Sequence, residues 1–130
     1  MLLITYNNDS IQGKIFTKEM TLHQPIAIIQ TDTRRFYTLV MVDPDAQTPY
    51  FLHWLTINID VEHNTFDEIV SYFPPTPPSG THRYFFYLLE QPRHIVIAKP
   101  KRTWFSLQAF IHNYGLRAVE QVHMKVTAHS

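Results

Sequence analysis

Apolar residues along this chain come mostly in short runs bounded by turn-forming residues, a pattern of strands more than of helices. Leu2 to Tyr6 and Ile11 to Phe16 flank Asn7-Asn8-Asp9-Ser10, a turn signal, and read as two strands able to form a hairpin. Ile26 to Ile29, after Pro25, reads as a short buried strand. Phe36 to Val42 is apolar nearly throughout, which predicts a strand covered on both faces. Trp54 to Ile59 alternates, with Leu55, Ile57 and Ile59 on one face. Phe66 to Phe73 predicts a further strand and Arg83 to Glu90 the most apolar one, with Ile95 to Ile97 pairing near it. One segment has helical spacing: Trp104, Leu107, Ile111 and Tyr114, with Phe110 beside them. Thr103 suits its N-cap, and Gly115 suits a C′ position that needs positive φ. Arg117 to Thr127 closes the pattern as a strand. The fold class is therefore mainly β, a β-sandwich with a small helical addition.

The 130 residues, 45% of them apolar, fit one domain spanning 1–130. The absence of cysteine excludes disulfides and thiolate metal sites. Formal net charge is zero, which lacks the basic footprint of a nucleic-acid binder. Lys99, Lys101 and Arg102 form the longest basic cluster. It reads as a solvated turn, with weak contact to an anionic membrane as the sharper alternative. The N-terminus has no basic lead or long apolar stretch, and no apolar run approaches the roughly 20 residues that span a bilayer. The expectation is a cytoplasmic protein with peripheral membrane contact at most.

Three segments combine rigid turns with polar groups. Asp43-Pro44-Asp45-Ala46 follows the buried strand directly, and acidic residues there must be solvated or paired. Leu52-His53-Trp54 opens the next strand and sets a histidine between apolar neighbours. In the third segment four of the five residues from Pro74 to Pro78 are proline, and Ser79-Gly80-Thr81-His82-Arg83-Tyr84 follows. Each X-Pro bond there has an appreciable cis propensity. Gly80 permits a tight turn, and His82 and Tyr84 share one face of a strand while Arg83 takes the other. Each segment alone also has a plain structural reading: a turn with solvated carboxylates, a strand-end histidine, a stiff loop. His23, His63, His94, His112, His123 and His129 are scattered without a shared spacing.

Taken together and in this order, Asp43-Pro44-Asp45-Ala46, Leu52-His53-Trp54 and Pro77-Pro78-Ser79-Gly80-Thr81-His82-Arg83-Tyr84 resemble the signature regions of the phosphatidylethanolamine-binding protein family. That family includes the Raf kinase inhibitor protein and plant flowering-time regulators. Leu52-His53-Trp54 is similar to the plant members, and Pro77 to Tyr84 is closer to the short bacterial and archaeal loop. Ile4 to Thr17 and the Phe105, Phe110 and Gly115-Leu116 positions extend the likeness over nearly the whole chain. The resemblance implies a large central antiparallel sheet packed on a smaller one and one short late helix, without the C-terminal helix of mammalian members. It also implies a small surface pocket for phosphate-type anions. Asp43 and Asp45 match the acidic pair, His53 and His82 the two pocket histidines, and Tyr84 the pocket tyrosine. Pro44 and Pro78 match rigid walls, Thr76 a backbone contact and Phe51 the rim. Gln47 replaces the family's usual second proline of the first turn, and the stretch from Ala46 to Phe51 is short, which trims the rim.

The implied partner is a phosphate-bearing small molecule or a phospholipid headgroup, held by N–H donors of His53 and His82 and the Tyr84 hydroxyl. Asp43 either fixes a histidine tautomer or accepts a bond from a protonated phosphate oxygen; the residues alone leave both open. A second reading is an interaction module, with the pocket taking a phosphorylated or acidic segment of a partner protein or with another surface doing so. A third is a metal-assisted hydrolase, but no H-E-x-x-H, Gly-x-Ser-x-Gly or nucleophilic cysteine is present. The expectation is a binding protein without catalytic residues, metal or cofactor.

Overall fold

Strand β5, Tyr37–Asp43, is buried along its whole length because its sheet is covered on both faces. The computed structural model describes residues 1–31 and 34–129. The earlier strands are β1 (Leu2–Tyr6), β2 (Asp9–Ser10), β3 (Ile15–Thr17) and β4 (Ile26–Ile29). After β5 come β6 (Phe51–Asp60), β7 (Thr65–Val70), β8 (Thr81–Glu90), helix α1 (Leu107–Tyr114) and β9 (Arg117–Thr127). They form a large sheet in the order β3-β9-β8-β5-β6-β7 and a small sheet in the order β2-β1-β4. All the pairings in the large sheet are antiparallel except that of β3, which runs parallel to β9 at the edge. The expected two-sheet sandwich with one short late helix is what the chain forms.

The sheet faces follow side-chain alternation. Leu2, Ile4 and Tyr6 of β1 pack against Tyr37, Leu39 and Met41 of β5 and Tyr84, Phe86 and Leu88 of β8 in the layer between the sheets. Val40, Val42 and Leu89 face the opposite way, where Phe105, Phe110 and Leu116 around α1 cover them. Fully burying one such side chain contributes about 1.5–3 kcal/mol, so both layers matter to stability. Among the described residues no helix is long and apolar enough to cross a membrane.

Several local expectations need correction. The hairpin turns through Asn7 and Asn8 alone, both at positive φ (49° and 68°), and its return strand is Asp9–Ser10 rather than Ile11 to Phe16. Positive φ at both central residues is the geometry of a two-residue hairpin loop. β4 has the expected span, but it is an edge strand and its Ile26 and Ile28 are exposed. Leu55 and Ile57 share a face, yet Ile59 packs into the other layer. Asn58, at φ 54°, breaks the alternation between them at a register shift. Ile95 to Ile97 forms no strand; the amide of Asn58 pairs with the N–H and the C=O of Ile95 at 2.9 and 2.8 Å. The helix is capped by Ser106, whose Oγ accepts from Ala109 N–H at 3.1 Å, not by Thr103. Trp104 stays exposed outside it, while Gly115 takes the expected left-handed cap.

Candidate functional site

β5 lies between β6 and β8, and both neighbours run antiparallel to it. Its last residue, Asp43, is therefore beside the first turns of both neighbours, Phe51 and His53 on one side and His82 and Tyr84 on the other. These five residues line one pocket of about 230 Å3, together with Ala46, Gln47, Phe73, Thr76 and Pro78. Wider depressions of about 510 and 540 Å3 lie beside Trp104 and His94, but neither gathers the acidic residue and paired histidines.

His53 reaches this pocket through a bulge. Met41 pairs with Trp54 and Val42 with Leu52, which leaves His53 as the extra residue of β6. A bulge re-aims a side chain next to a site. Here the imidazole is set edge-on to the rings of Phe51 (centroids 4.8 Å apart) and Tyr84 (5.2 Å). Beyond β7 the chain is bound back to β6. Phe73 N–H donates to the His53 C=O at 2.8 Å, and the Phe73 C=O lies 2.6 Å from His53 Nδ1. Burial drives the His53 pKa down to about 4; repulsion from Arg102 and His82 adds to it, and the Phe73 carbonyl and Asp43 oppose it.

On the other side His82 Nδ1 is 2.8 Å from Asp43 Oδ2, and Asp45 N–H donates to Asp43 Oδ1 at 2.7 Å. Both oxygens of this buried carboxylate are thus engaged. Burial, then the charge and hydrogen bonding of Asp43, push the Tyr84 phenol well above its usual range, so it keeps its proton. Of the two arrangements open to Asp43, the contact with a histidine is present in the structure.

Of the residues expected at the site, Asp43, His53, Thr76, Pro78, His82 and Tyr84 line the pocket with Phe51 at its edge, whereas Pro44 and Asp45 do not. Asp45 turns outward to Arg83, taking Nη2 at 2.8 Å and Nε at 3.0 Å as well as the backbone N–H. The hydrogen bond from Arg83 holds its carboxyl below the ordinary range. Arg83 does face away from the pocket, as the alternation of β8 requires. None of the X-Pro bonds of the proline loop is cis.

Three contributors escape a linear reading. Gln47, legible only as a departure from a motif, is part of the pocket lining. Phe73 supplies a ring and the carbonyl that holds His53. Arg102, read as part of a solvated turn, donates to the carbonyls of Leu52, His53 and Ser71 at 2.7–3.1 Å and stacks over Phe73 at 5.4 Å. No group of three or more His, Cys, Asp or Glu is placed to hold a metal ion among the described residues.

Residues 7–128 match the family model described as Phosphatidylethanolamine-binding protein. The chain is 39% identical over 128 residues to the protein TWIN SISTER of FT of Arabidopsis thaliana, covering 88% of this chain and 73% of that one. It is 43% identical over 96 residues to FLOWERING LOCUS T of the same plant, covering 65% of this chain and 55% of that one. Its fold is similar to that of a carboxypeptidase Y inhibitor solved with its cognate proteinase. There the TM-score is 0.84 at 18% identity, covering 97% of this chain and 82% of that one.

Proposed function

The chain belongs to the phosphatidylethanolamine-binding protein family, and on that footing we propose that its pocket binds the phosphate group of a small phosphate-bearing molecule or phospholipid headgroup. The observation that carries this reading is the convergence of His53 and His82, from two different strands, on one small pocket with Asp43 holding the second ring. With Nδ1–H of His82 given to Asp43, Nε2 is left to the pocket. When the ring is protonated that nitrogen donates a charge-assisted bond to an anionic oxygen, and Asp43 balances the ring's charge. The amide of Gln47 offers neutral donors. Thr76 and Pro78 close the far wall without charge.

The chemistry is recognition rather than turnover. Affinity is modest, because the pocket is small and open and few contacts offset the cost of association. Titration with O-phosphoethanolamine followed by 1H–15N shifts tests it: perturbations should centre on Gln47, Thr76 and His82, and His82→Ala should weaken binding at least about tenfold, the loss of one charged hydrogen bond. Unchanged affinity in the folded variant overturns the reading.

A further inference from the structure

We propose that this pocket selects tetrahedral anions that still carry a proton, with Nε2 of His53 accepting the P–O–H hydrogen of a phosphate monoanion, and that it turns away anions with no proton to give. The inference rests on the phosphate-pocket reading above and names the ionic form that the pocket takes.

The argument begins at the other nitrogen of the ring. A carbonyl oxygen only accepts, so the 2.6 Å contact between His53 Nδ1 and the Phe73 C=O is a hydrogen bond only when Nδ1 carries the hydrogen. A neutral imidazole has a single N–H. Nε2 is then a bare lone pair. Among the described residues it has no hydrogen-bond partner, and no buried side-chain nitrogen or oxygen lacks one, so Nε2 opens on the pocket.

The surroundings keep that lone pair available. The ring is enclosed by Phe51, Phe73 and Tyr84 with centroids 4.8–5.8 Å away, and a second proton would set an imidazolium among three aromatic rings. Burial accordingly holds its pKa at about 4. The charged and titratable groups facing it are Asp43 from β5, His82 and Tyr84 from β8, and Arg102 from the segment before α1. Both Asp43 oxygens already accept bonds, from Asp45 N–H and His82. The Arg102 guanidinium is spent on three carbonyls, and the charge of Asp43 acts on the Tyr84 phenol, whose pKa it helps to raise. No protein group among the described residues donates to Nε2, and a hydrogen carried on the ligand fits it.

A phosphate monoester loses its second proton near pH ~6, so both its protonated and unprotonated forms are populated around neutrality. Sulfate has the same shape but no proton at these pH values. Its oxygen would face the Nε2 lone pair, acceptor against acceptor. A site built to hydrogen-bond a group rejects the analogue that lacks it. His53 thus acts as a filter for protonation, and His82 as the attraction for charge.

Calorimetric titration of the full chain with methyl phosphate, a monoester whose dianion carries no hydrogen, and with sulfate, from pH 5.5 to 8, tests the proposal. At pH 6 sulfate should bind at least about tenfold more weakly than methyl phosphate. The ratio of the two affinities should shrink as pH rises and the phosphate monoanion disappears. Taking the ratio removes what acts on both anions alike and isolates the proton on the ligand. His53→Asn keeps a donor for the Phe73 carbonyl and deletes Nε2; it should bring the ratio toward one. Equal binding of the two anions by the parent chain overturns the proposal without any variant. A preference that survives in folded His53→Asn overturns the role of Nε2. If neither anion binds, the phosphate-pocket reading fails and takes this inference with it.

Discussion

Asp43 Oδ2 and His82 Nδ1 lie 2.8 Å apart although 39 residues separate them in the chain, and this contact turns the end of one strand and the start of another into a single polar unit. The carboxylate fixes which nitrogen of the histidine faces the pocket. Asp43→Ala should weaken phosphate binding at least about tenfold and destabilise the fold by about 1–3 kcal/mol, because His82 N–H and Asp45 N–H both lose their acceptor. Urea unfolding and anion titration of the same preparation measure the two effects.

His53 makes stability depend on pH. Its folded pKa of about 4 lies below the ordinary histidine value of 6.5, so between those values the unfolded chain binds a proton that the folded chain refuses. The contribution is fully present above pH ~6.5 and is lost as pH falls toward ~4, by about 3 kcal/mol in all. Urea midpoints taken at intervals from pH 7 to 4 should fall accordingly. In folded His53→Asn the part of that slope due to His53 should vanish.

Asp45 is expected to be dispensable for the ligand. Its carboxylate is committed to Arg83 outside the pocket, and that pair is exposed. Asp45→Asn should change phosphate affinity by less than about twofold and stability by less than about 1 kcal/mol. A tenfold loss of affinity would restore Asp45 to the binding surface.

Arg102 should behave as a positioning residue. Its guanidinium joins β6 to the segment beyond β7 and supports the Phe73 ring. Arg102→Lys keeps the charge but cannot reproduce the fork. We expect it to cost about 1–3 kcal/mol and to shift the His53 and Phe73 resonances in 1H–15N spectra, whereas a solvated turn residue would leave both unmoved.

The buried amides of Asn58 and Gln91 offer a test of the bulge. Asn58 Oδ1 accepts from Gln91 Nε2 and Ile95 N–H, and Gln91 Oε1 accepts from Thr38 Oγ1 and Asn58 N–H, all at 2.7–2.9 Å. Asn58→Gly and Asn58→Ala lose the same amide, but alanine also carries a Cβ at φ 54°. The alanine variant should be the less stable by about 1 kcal/mol in thermal or urea unfolding.

Much of this molecule is legible in one dimension. β5 and β8 are apolar on both faces because the large sheet is covered on both sides, and that requirement is written residue by residue. β9 closes over the expected span, Arg117–Thr127. The order of the Asp43, His53 and His82 segments is enough to suggest a family and a pocket, because rigid turns next to strand ends carry distinctive residues. The burial of β4 was not legible: Ile26 to Ile29 is equally apolar in the middle of a sheet or at its edge, and only pairing decides.

The sequence by itself determined that the stretches of β1, β5, β6, β8 and β9 extend and which polar residues stand at the ends of β5, β6 and β8, since side-chain period and turn chemistry are local properties. The tertiary structure alone decided that His53 is the extra residue opposite Met41 and Val42, that Asn58 sends Ile59 to the opposite layer, and that Asp43 rather than Asp45 lines the pocket. The physical reason is the same in each case. A bulge and an ion pair belong to the register between two strands, and register is set by the hydrophobic layers on both faces of the sheet, not by either strand's own residues.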